Sequence, residues 1–260
     1  MGNILAIAKR ELRNYFATPV GWLSLCGYIL LTGFFFTIFL GFYSEQAATM
    51  GFDPYGPAEM NVDEYLVSPF FGNANIILLF LCPALTMRLF SEDRKAKSLE
   101  LLLTSPISTA EIVLGKYLGA LSFVLVLFLG TLHYPTLLFW MGDPDPGIMA
   151  SCYLSWTMMT ACFMAVGLMA SSFTENQMVA MILAFGILLM FWLLGWAEGS
   201  LGSTGFQGSL KDVLSFVSLV NRTEDMQKGL IHTKDLVYFG SFVAFFLFVT
   251  HQRVEAYRWR

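Results

Sequence analysis

Long apolar runs recur along the chain, and they restrict its fold more than any other feature. Six stretches of about 20 residues or more carry few charges, and this is the length needed to cross a hydrocarbon layer of about 30 Å. Composition agrees, because 56% of the 260 residues are hydrophobic and only 13% are charged. The sequence therefore predicts an all-α polytopic membrane protein whose single domain fills residues 1–260. We place the spanning helices at about residues 20–43, 70–90, 112–141, 148–171, 177–197 and 234–251.

Cations are distributed unevenly between the two ends of the predicted bundle. Six crossings put both termini on one side, and eleven of the fifteen Lys and Arg residues fall on that side. These eleven are Lys9, Arg10, Arg13, Arg88, Arg94, Lys95, Lys97, Lys116, Arg253, Arg258 and Arg260. The other four are Lys211, Arg222, Lys228 and Lys234. Because positive residues accumulate on the cytoplasmic side of membrane proteins, the sequence predicts cytoplasmic N- and C-termini.

Residues 3–19, in front of the first apolar run, form a predicted amphipathic helix. At about 100° per residue, one face carries Ile4, Leu5, Ala8, Leu12 and Tyr15. The other face carries Lys9, Arg10, Arg13 and Asn14. Such a helix lies in the membrane interface, with its cations toward water. A cleaved signal peptide is the alternative, but the apolar run that follows is too long for one.

A polar, cation-rich segment at residues 88–116 separates the second and third apolar runs. Ser98 can cap a short helix over residues 99–103, and Pro106 ends this helix because proline lacks an amide donor. Ser108 and Glu111 form a capping box before the next apolar run. An ordinary cytoplasmic loop is the alternative interpretation. The outward side is predicted to be a mixed-charge surface suited to a soluble partner, made of Glu92, Asp93, Arg94, Lys95, Lys97 and Glu100.

The connections on the opposite side are acidic or short. Residues 44–68 carry five carboxylates, and residues 142–147 form a tight GDPDPG turn. Residues 198–233 form a longer outer loop. Within this loop, apolar residues recur at helical spacing over residues 209–220 and predict a re-entrant or interfacial helix.

Small residues also recur at helical spacing inside the apolar runs. The pairs are Gly115 with Gly119, Ala161 with Ala165, and Ala180 with Ala184. Small side chains let helices approach closely in membranes. We therefore expect tight helix packing at these positions, either within the chain or between two copies.

The sequence lacks the motifs of several chemical functions. No G-x-x-x-x-G-K-[ST] phosphate loop occurs, so the chain does not bind ATP by that device. No H-E-x-x-H or C-x-x-C pair is present to hold a metal. Few charges lie inside the predicted spans, whereas proton- and sodium-coupled carriers depend on such charges. We therefore expect no cofactor or metal in this chain. We expect the energy that drives it to come from a partner protein that docks on residues 88–116.

His133 lies within the third predicted span, two residues before Pro135. A polar ring at that depth is a candidate for a translocation path. The alternative is a hydrogen bond to a neighbouring helix, where Pro135 frees a carbonyl group.

Three segments carry a family resemblance. They read KRELRNYFATP at residues 9–19, SLELLLTSPISTAEIVLGKYLGA at residues 98–120 and SLVNRTEDMQKGLIHTKDLVYFGSFVAFFLFVT at residues 218–250. Together with the six spans, they resemble the ABC-2 type permeases of ATP-binding-cassette exporters. The last segment resembles the gliding-motility and NosY-like branch. The family usually has Gly-Thr before its Leu-Glu pair, where this chain has Lys97 and Ser98.

The resemblance implies a type V exporter-like architecture in a bacterial inner membrane. Its parts are an interfacial N-terminal helix, a coupling helix in the loop at residues 91–111 and outer re-entrant helices. Two permease chains, identical or different, would pair over two ATPase subunits that bind the ATP and Mg²⁺. The small outer loops suggest an extracytoplasmic accessory subunit, and nothing suggests a nucleic acid. The expected ATPase-coupling residues are Arg94, Lys95, Ser98, Leu99, Glu100, Leu101, Leu102 and Pro106.

Three functions follow as hypotheses. The first is a permease subunit, not itself an enzyme, that couples ATP hydrolysis by a separate ATPase to export or mechanical work. The second is a non-transporting membrane anchor of a motility or envelope machine. The third is a membrane-embedded enzyme that uses His133 with a nearby carboxylate.

Overall fold

Helices make up nearly all of the part of the chain that the structure describes. The computed structural model describes residues 2–50, 61–104, 106–142, 144–201 and 217–258, and within these ranges it contains helices and no strand. The helices are α1 (Gly2–Ala17), α2 (Pro19–Met50), α3 (Ser68–Thr86), α4 (Arg88–Lys95), α5 (Ser98–Thr104), α6 (Thr109–Gly130), α7 (His133–Met141), α8 (Pro146–Phe173), α9 (Gln177–Leu201), α10 (Leu219–Gln227) and α11 (Thr233–Arg258). A π-helical turn, Asp63–Val67, leads into α3. The side chain of Leu101 and most of the predicted re-entrant segment at residues 209–220 lie outside the described residues.

Within the described ranges, six helical segments are long and apolar enough to cross a membrane. They are Pro19–Thr49, Asp63–Lys95, Thr109–Met141, Pro146–Phe173, Gln177–Gly195 and Thr233–Tyr257. The predicted all-α polytopic fold is therefore confirmed. The first spanning helix, α2, is longer than predicted, since it continues beyond residue 43 to Met50. The added residues contain neither glycine nor proline, so nothing in the sequence stops the helix there.

Both ends of the described chain lie at the same end of the bundle. Asn3 contacts Glu111 at the start of α6, and Glu255 near the end of α11 contacts Thr109. This end, which carries α1, α4 and α5, is called the basic end below. The opposite end, which carries the π-helical turn and α10, is called the far end.

Helix α8 forms the centre of the bundle and packs against α3, α4, α6, α9, α10 and α11. It begins at Pro146 because Asp145 caps it, accepting a hydrogen bond from the Gly147 amide at 2.7 Å. Its Trp156 is fully buried and donates a hydrogen bond to the Phe71 carbonyl at 3.0 Å. By contrast, α2 and α9 leave most of their apolar side chains on the outside of the bundle. Those surfaces suit contact with lipid or with another membrane helix.

The third predicted span, residues 112–141, is not one straight helix. The chain breaks at Thr131 and Leu132, so the span consists of α6 and α7. Pro135 explains the break, because it has no amide to donate to the preceding turn. His133 donates from Nδ1 to the carbonyl of Gly130 at 2.8 Å. The imidazole therefore bonds to a carbonyl at the break in its own span rather than to a neighbouring helix.

Helix α1 packs lengthwise on α6, and the two glycines spaced four apart make this possible. A Cβ atom at Gly115 would lie 2.7 Å from the Cβ of Ile7, and one at Gly119 would lie 2.7 Å from the Cβ of Glu11. The predicted apolar face of α1 is rotated in the structure. Ile7, Glu11 and Tyr15 are buried, while Leu5 is 68% exposed. Glu11 can turn inward because it meets a buried cation on α6.

We predict that Gly119→Ala weakens the docking of α1. The added methyl group meets the backbone of Ala8 and the side chain of Glu11, and such overpacking costs about 1–3 kcal/mol. Gly240→Ala is the matched control, because a Cβ there meets nothing within 4 Å. Thermal unfolding in detergent should show a lower Tm for Gly119→Ala only. Equal Tm values for the two variants would contradict the tight packing of α1 on α6.

Candidate functional site

A buried cation joins three helices at the basic end. The ammonium group of Lys116, on the second turn of α6, lies 3.1 Å from Glu11 Oε1 and 2.6 Å from Asp93 Oδ2. It also donates a hydrogen bond to the carbonyl of Leu89 at 2.6 Å. Lys116 therefore makes two hydrogen bonds, to Glu11 and to the Leu89 carbonyl, and an ion pair with Asp93. We call Lys116, Glu11 and Asp93 the ammonium junction. It links α1, α4 and α6.

The charges around the ammonium junction balance. Arg10 on the exposed side of α1 lies 2.8 Å from the same Glu11 oxygen, so two cations face two carboxylates. The Lys116 nitrogen also lies 5.3 Å from the centre of the Phe90 ring, within the range of a cation–π interaction. Burying a charged group is costly unless it is paired and hydrogen-bonded. The junction meets both conditions, which explains how a lysine can be almost completely buried at this position.

The short helix α5 is attached directly to the ammonium junction. Ser98, its first residue, donates a hydrogen bond to Asp93 Oδ1 at 2.9 Å, while the other carboxylate oxygen faces Lys116. The next residue, Leu99, is 2% exposed and lines a small void together with Phe90 on α4. One polar and one apolar contact therefore fix the start of α5 against the bundle.

The predicted coupling residues divide into two groups. Lys95, Glu100 and Pro106 are exposed, and Leu102 is half-buried. Ser98, Leu99 and Arg94 contact their own chain instead.

Arg94 fastens the end of α4 to the end of α8. It donates to the Ser172 carbonyl at 2.9 Å and lies 3.3 Å from the carboxylate of Glu175. Its guanidinium group also lies 5.1 Å from the centre of the Tyr257 ring. Arg94 therefore holds the end of α4 against the end of α8.

The segment that follows α5 has the predicted capping box. The hydroxyl of Ser108 accepts from the Glu111 amide at 3.2 Å, and the Glu111 carboxylate accepts from the Ser108 amide at 3.2 Å. The amide group of Asn3 donates to the same carboxylate at 3.3 Å. The box is therefore confirmed, and it also holds the start of α1.

Contacts made by Arg88 hold the hinge between α1 and α2. Arg88 donates to the hydroxyl of Thr18 at 3.1 Å and lies 4.4 Å from the centre of the Tyr15 ring. Burial raises the pKa of Tyr15 despite the nearby Arg88, so its hydroxyl stays protonated and donates to the Leu85 carbonyl at 2.8 Å. The hinge at Thr18 is thus fixed to the end of α3.

Lys97 occupies a strained position between α4 and α5. Its φ is +54°, in the left-handed region that costs a non-glycine residue about 1–2 kcal/mol. Ala96 and Lys97 donate to the Glu92 and Arg94 carbonyls, the pattern by which a helix ends in a left-handed residue. The resemblance noted above predicts glycine at this position, and glycine adopts this φ without a steric cost.

Sequence reasoning missed the pairing of Glu11 with Lys116. Two signals pointed to it: a carboxylate next to the apolar stripe of α1, and a lysine beside Gly115 in an apolar run. The cations Lys9, Arg10 and Arg13 are exposed on α1, as predicted for an interfacial helix. His133 is exposed and lies apart from the ammonium junction.

Comparison with known proteins identifies a family. A family model described as an ABC-2 family transporter protein matches residues 5–227. The matched range contains the ammonium junction, α5 and α10. No curated protein sequence matches the chain.

We predict that Lys116→Met destabilises the protein by about 3–5 kcal/mol, because it leaves the half-buried Asp93 without its cation and leaves Glu11 with Arg10 alone. Lys95→Met is the matched control, since Lys95 is exposed. Thermal unfolding in detergent measures both variants. Adding Glu11→Gln to Lys116→Met should recover part of the loss, because it removes a buried carboxylate that has lost its buried cation. A Lys116→Met protein as stable as Lys95→Met would exclude a structural role for the junction.

We predict that Lys97→Gly raises stability by about 1 kcal/mol, because glycine adopts a positive φ without steric cost. Lys97→Ala removes the same charge and keeps the Cβ atom, so it should give no gain. Tm values for the two variants separate the backbone effect from the charge effect. Equal gains for both variants would assign the effect to charge.

Proposed function

Since the chain belongs to the ABC-2 family of transporter proteins, we propose that it is a permease subunit driven by ATP hydrolysis on separate ATPase subunits. The ATP and Mg²⁺ would bind to those subunits, and this chain would convert their closure into export or mechanical work. The observation that carries the proposal is the attachment of α5 to the buried ammonium junction. A short helix on the surface is thereby connected to three longer helices.

The contacts define a path for force. A push on α5 would act on Ser98, pass through the Asp93 carboxylate to Lys116 and reach Glu11 on α1. Buried charge-assisted contacts of this kind are short and directional, so they resist bending. Packed interiors also transmit displacement because they are dense. Helices α1, α4 and α6 would then move together when α5 moves.

The docking surface would use the exposed residues of the α5 region. Glu100 and Lys95 are exposed and carry opposite charges, which suits a polar rim around a partner's groove. Leu101 and Leu102 would supply apolar contact in that groove. Arg94, Ser98 and Leu99 would act by holding α5 in position. For work to be transmitted, the ATPase must bind the two states of α5 with different affinity.

The basic end would face the cytoplasm. The exposed cations Lys9, Arg10 and Arg13 of α1 would lie at the anionic surface of the inner leaflet. This orientation follows the positive-inside rule and places α5 where a soluble ATPase can reach it. The expected location is a bacterial inner membrane.

A second permease chain, identical or different, would pack against this one. The exposed apolar surfaces of α2 and α9 support this proposal, because they need lipid or protein contact. The resemblance of residues 218–250 supports placement in the gliding-motility and NosY-like branch. An extracytoplasmic subunit would then complete the assembly at the far end.

The proposal predicts that Glu100→Arg releases the ATPase. A tagged chain would be isolated from membranes of the source cells in mild detergent, and ATP hydrolysis by copurified subunits would be measured. We expect a loss of at least about tenfold, as for the removal of an interfacial contact worth about 1.4 kcal/mol. The carboxylate of Glu100 is exposed, so its replacement should leave the fold intact.

Glu45→Arg is the matched control, because Glu45 is an exposed carboxylate near the end of α2 at the far end. It should retain the bound ATPase. An active, stoichiometric ATPase on the Glu100→Arg chain would refute docking at α5. Absence of any ATP-hydrolysing subunit from the wild-type preparation would refute the wider proposal.

A further inference from the structure

A cavity of about 600 Å³ opens at the far end of the bundle. The start of α3, the end of α9 and helix α10 form its walls, and Ile148 of α8 closes one side. Trp192, Ile76 and Val220 provide apolar surface. Small-molecule sites in proteins occupy about 300–1,000 Å³ and combine apolar walls with a few polar groups. The cavity has this size and this composition.

Three buried polar side chains line the cavity with one atom each that has no partner among the described residues. They are Oδ1 of Asn75, Nε2 of Gln227 and Oδ1 of Asp63. The residues are 3%, 5% and 6% exposed, respectively. A buried polar group without a hydrogen bond is costly and rare in a native structure. Three such groups around one cavity indicate a role in binding.

The surrounding contacts hold the side chain of Asp63 and the backbone of Gln227 in position. The second carboxylate oxygen of Asp63 accepts from the Asp145 amide at 3.0 Å. The backbone carbonyl of Gln227 accepts from the Ser68 hydroxyl at 2.9 Å. Asp63 is therefore held through one carboxylate oxygen while the other has no partner among the described residues.

The chemistry of the lining selects the ligand. Asp63 accepts hydrogen bonds only, and each amide group of Asn75 and Gln227 offers both donor and acceptor. Exposed Glu64 and Glu224 add acceptors at the cavity, and Lys228 adds a donor. A hydroxyl group can donate to a carboxylate and accept from an amide or an ammonium. An organic cation could satisfy the carboxylates but would leave the donors unmatched.

We propose that this cavity binds a neutral, hydroxyl-rich ligand, such as a sugar unit. The hydroxyl groups would bond to Asp63, Asn75 and Gln227, and the apolar face of the ring would lie against Trp192. The site is formed by this chain alone. Its binding requires no ATPase, so the proposal stands or fails independently of the coupling at α5.

The first test concerns stability in the absence of ligand. Asn75→Leu removes a buried amide with an unsatisfied atom, so it should raise Tm by about 2–4 °C. Residues kept for binding commonly limit stability in this way. Gln252→Leu is the matched control at the basic end, where the amide is exposed and no gain is expected. A clear fall in Tm for Asn75→Leu would show that Asn75 is structural and would overturn the proposal.

The second test measures binding in phosphatidylcholine nanodiscs, which contain no sugar detergent. The probes are glucose, trehalose and inositol, with spermidine as a cation and glucuronate as an anion. Sugars also stabilise proteins non-specifically by exclusion from the surface. Specific binding is therefore the saturable part of the Tm shift in wild-type protein. It should weaken at least about tenfold in Asn75→Leu, corresponding to about 1.4 kcal/mol.

Each remaining outcome also decides the question. Saturable protection by a neutral probe that is lost in Asn75→Leu and kept in Gln252→Leu supports the proposal. Protection by spermidine alone would overturn the ligand class. The binding site would be overturned if the Tm rose linearly with probe concentration and equally in wild type, Asn75→Leu and Gln252→Leu. It would also be overturned if no probe changed the Tm.

Discussion

Lys116 places one ammonium group where three helices meet, and the basic end of the bundle is arranged around it. The charge can be buried because Lys116 pairs with the carboxylates of Glu11 and Asp93 and donates hydrogen bonds to Glu11 and to the Leu89 carbonyl. This requirement fixes the distance between α1 and α6. Gly115 and Gly119 then follow, since any side chain on that face of α6 would keep Glu11 out of reach. Packing and electrostatics therefore impose the same geometry on the two helices.

The two ends of the bundle use polar groups in opposite ways. At the basic end the buried side chains of Lys116 and Glu11 and the half-buried Asp93 form ion pairs, and Asp93 also holds α5. At the far end Asn75 and Gln227 are buried with an atom unused. The first pattern favours rigidity, and the second favours recognition of something outside the chain. Helix α8 connects them, because it packs against both α4 and α10.

Much of the fold could be predicted from local signals. Apolar length located the spans, and the capping box of Ser108 and Glu111 followed from residues three apart. The break between α6 and α7 was harder, because Pro135 can also sit within a continuous, kinked helix. The ammonium junction could not be predicted, since pairing Glu11 with Lys116 depends on how α1 turns in three dimensions. The unused atoms at the far end likewise emerge only when α3 and α10 are brought together.

The distance along the chain between the two partners of the junction constrains how the protein is made. Glu11 leaves the ribosome 105 residues before Lys116. During that interval its carboxylate has no buried cation to meet, and it stays in water because desolvation alone would be too costly. Helix α1 must therefore stay at the membrane surface while α2 and α3 are inserted. It reaches its final position on α6 only after the third span is inserted, so the contact joins two parts of the chain that are made 105 residues apart.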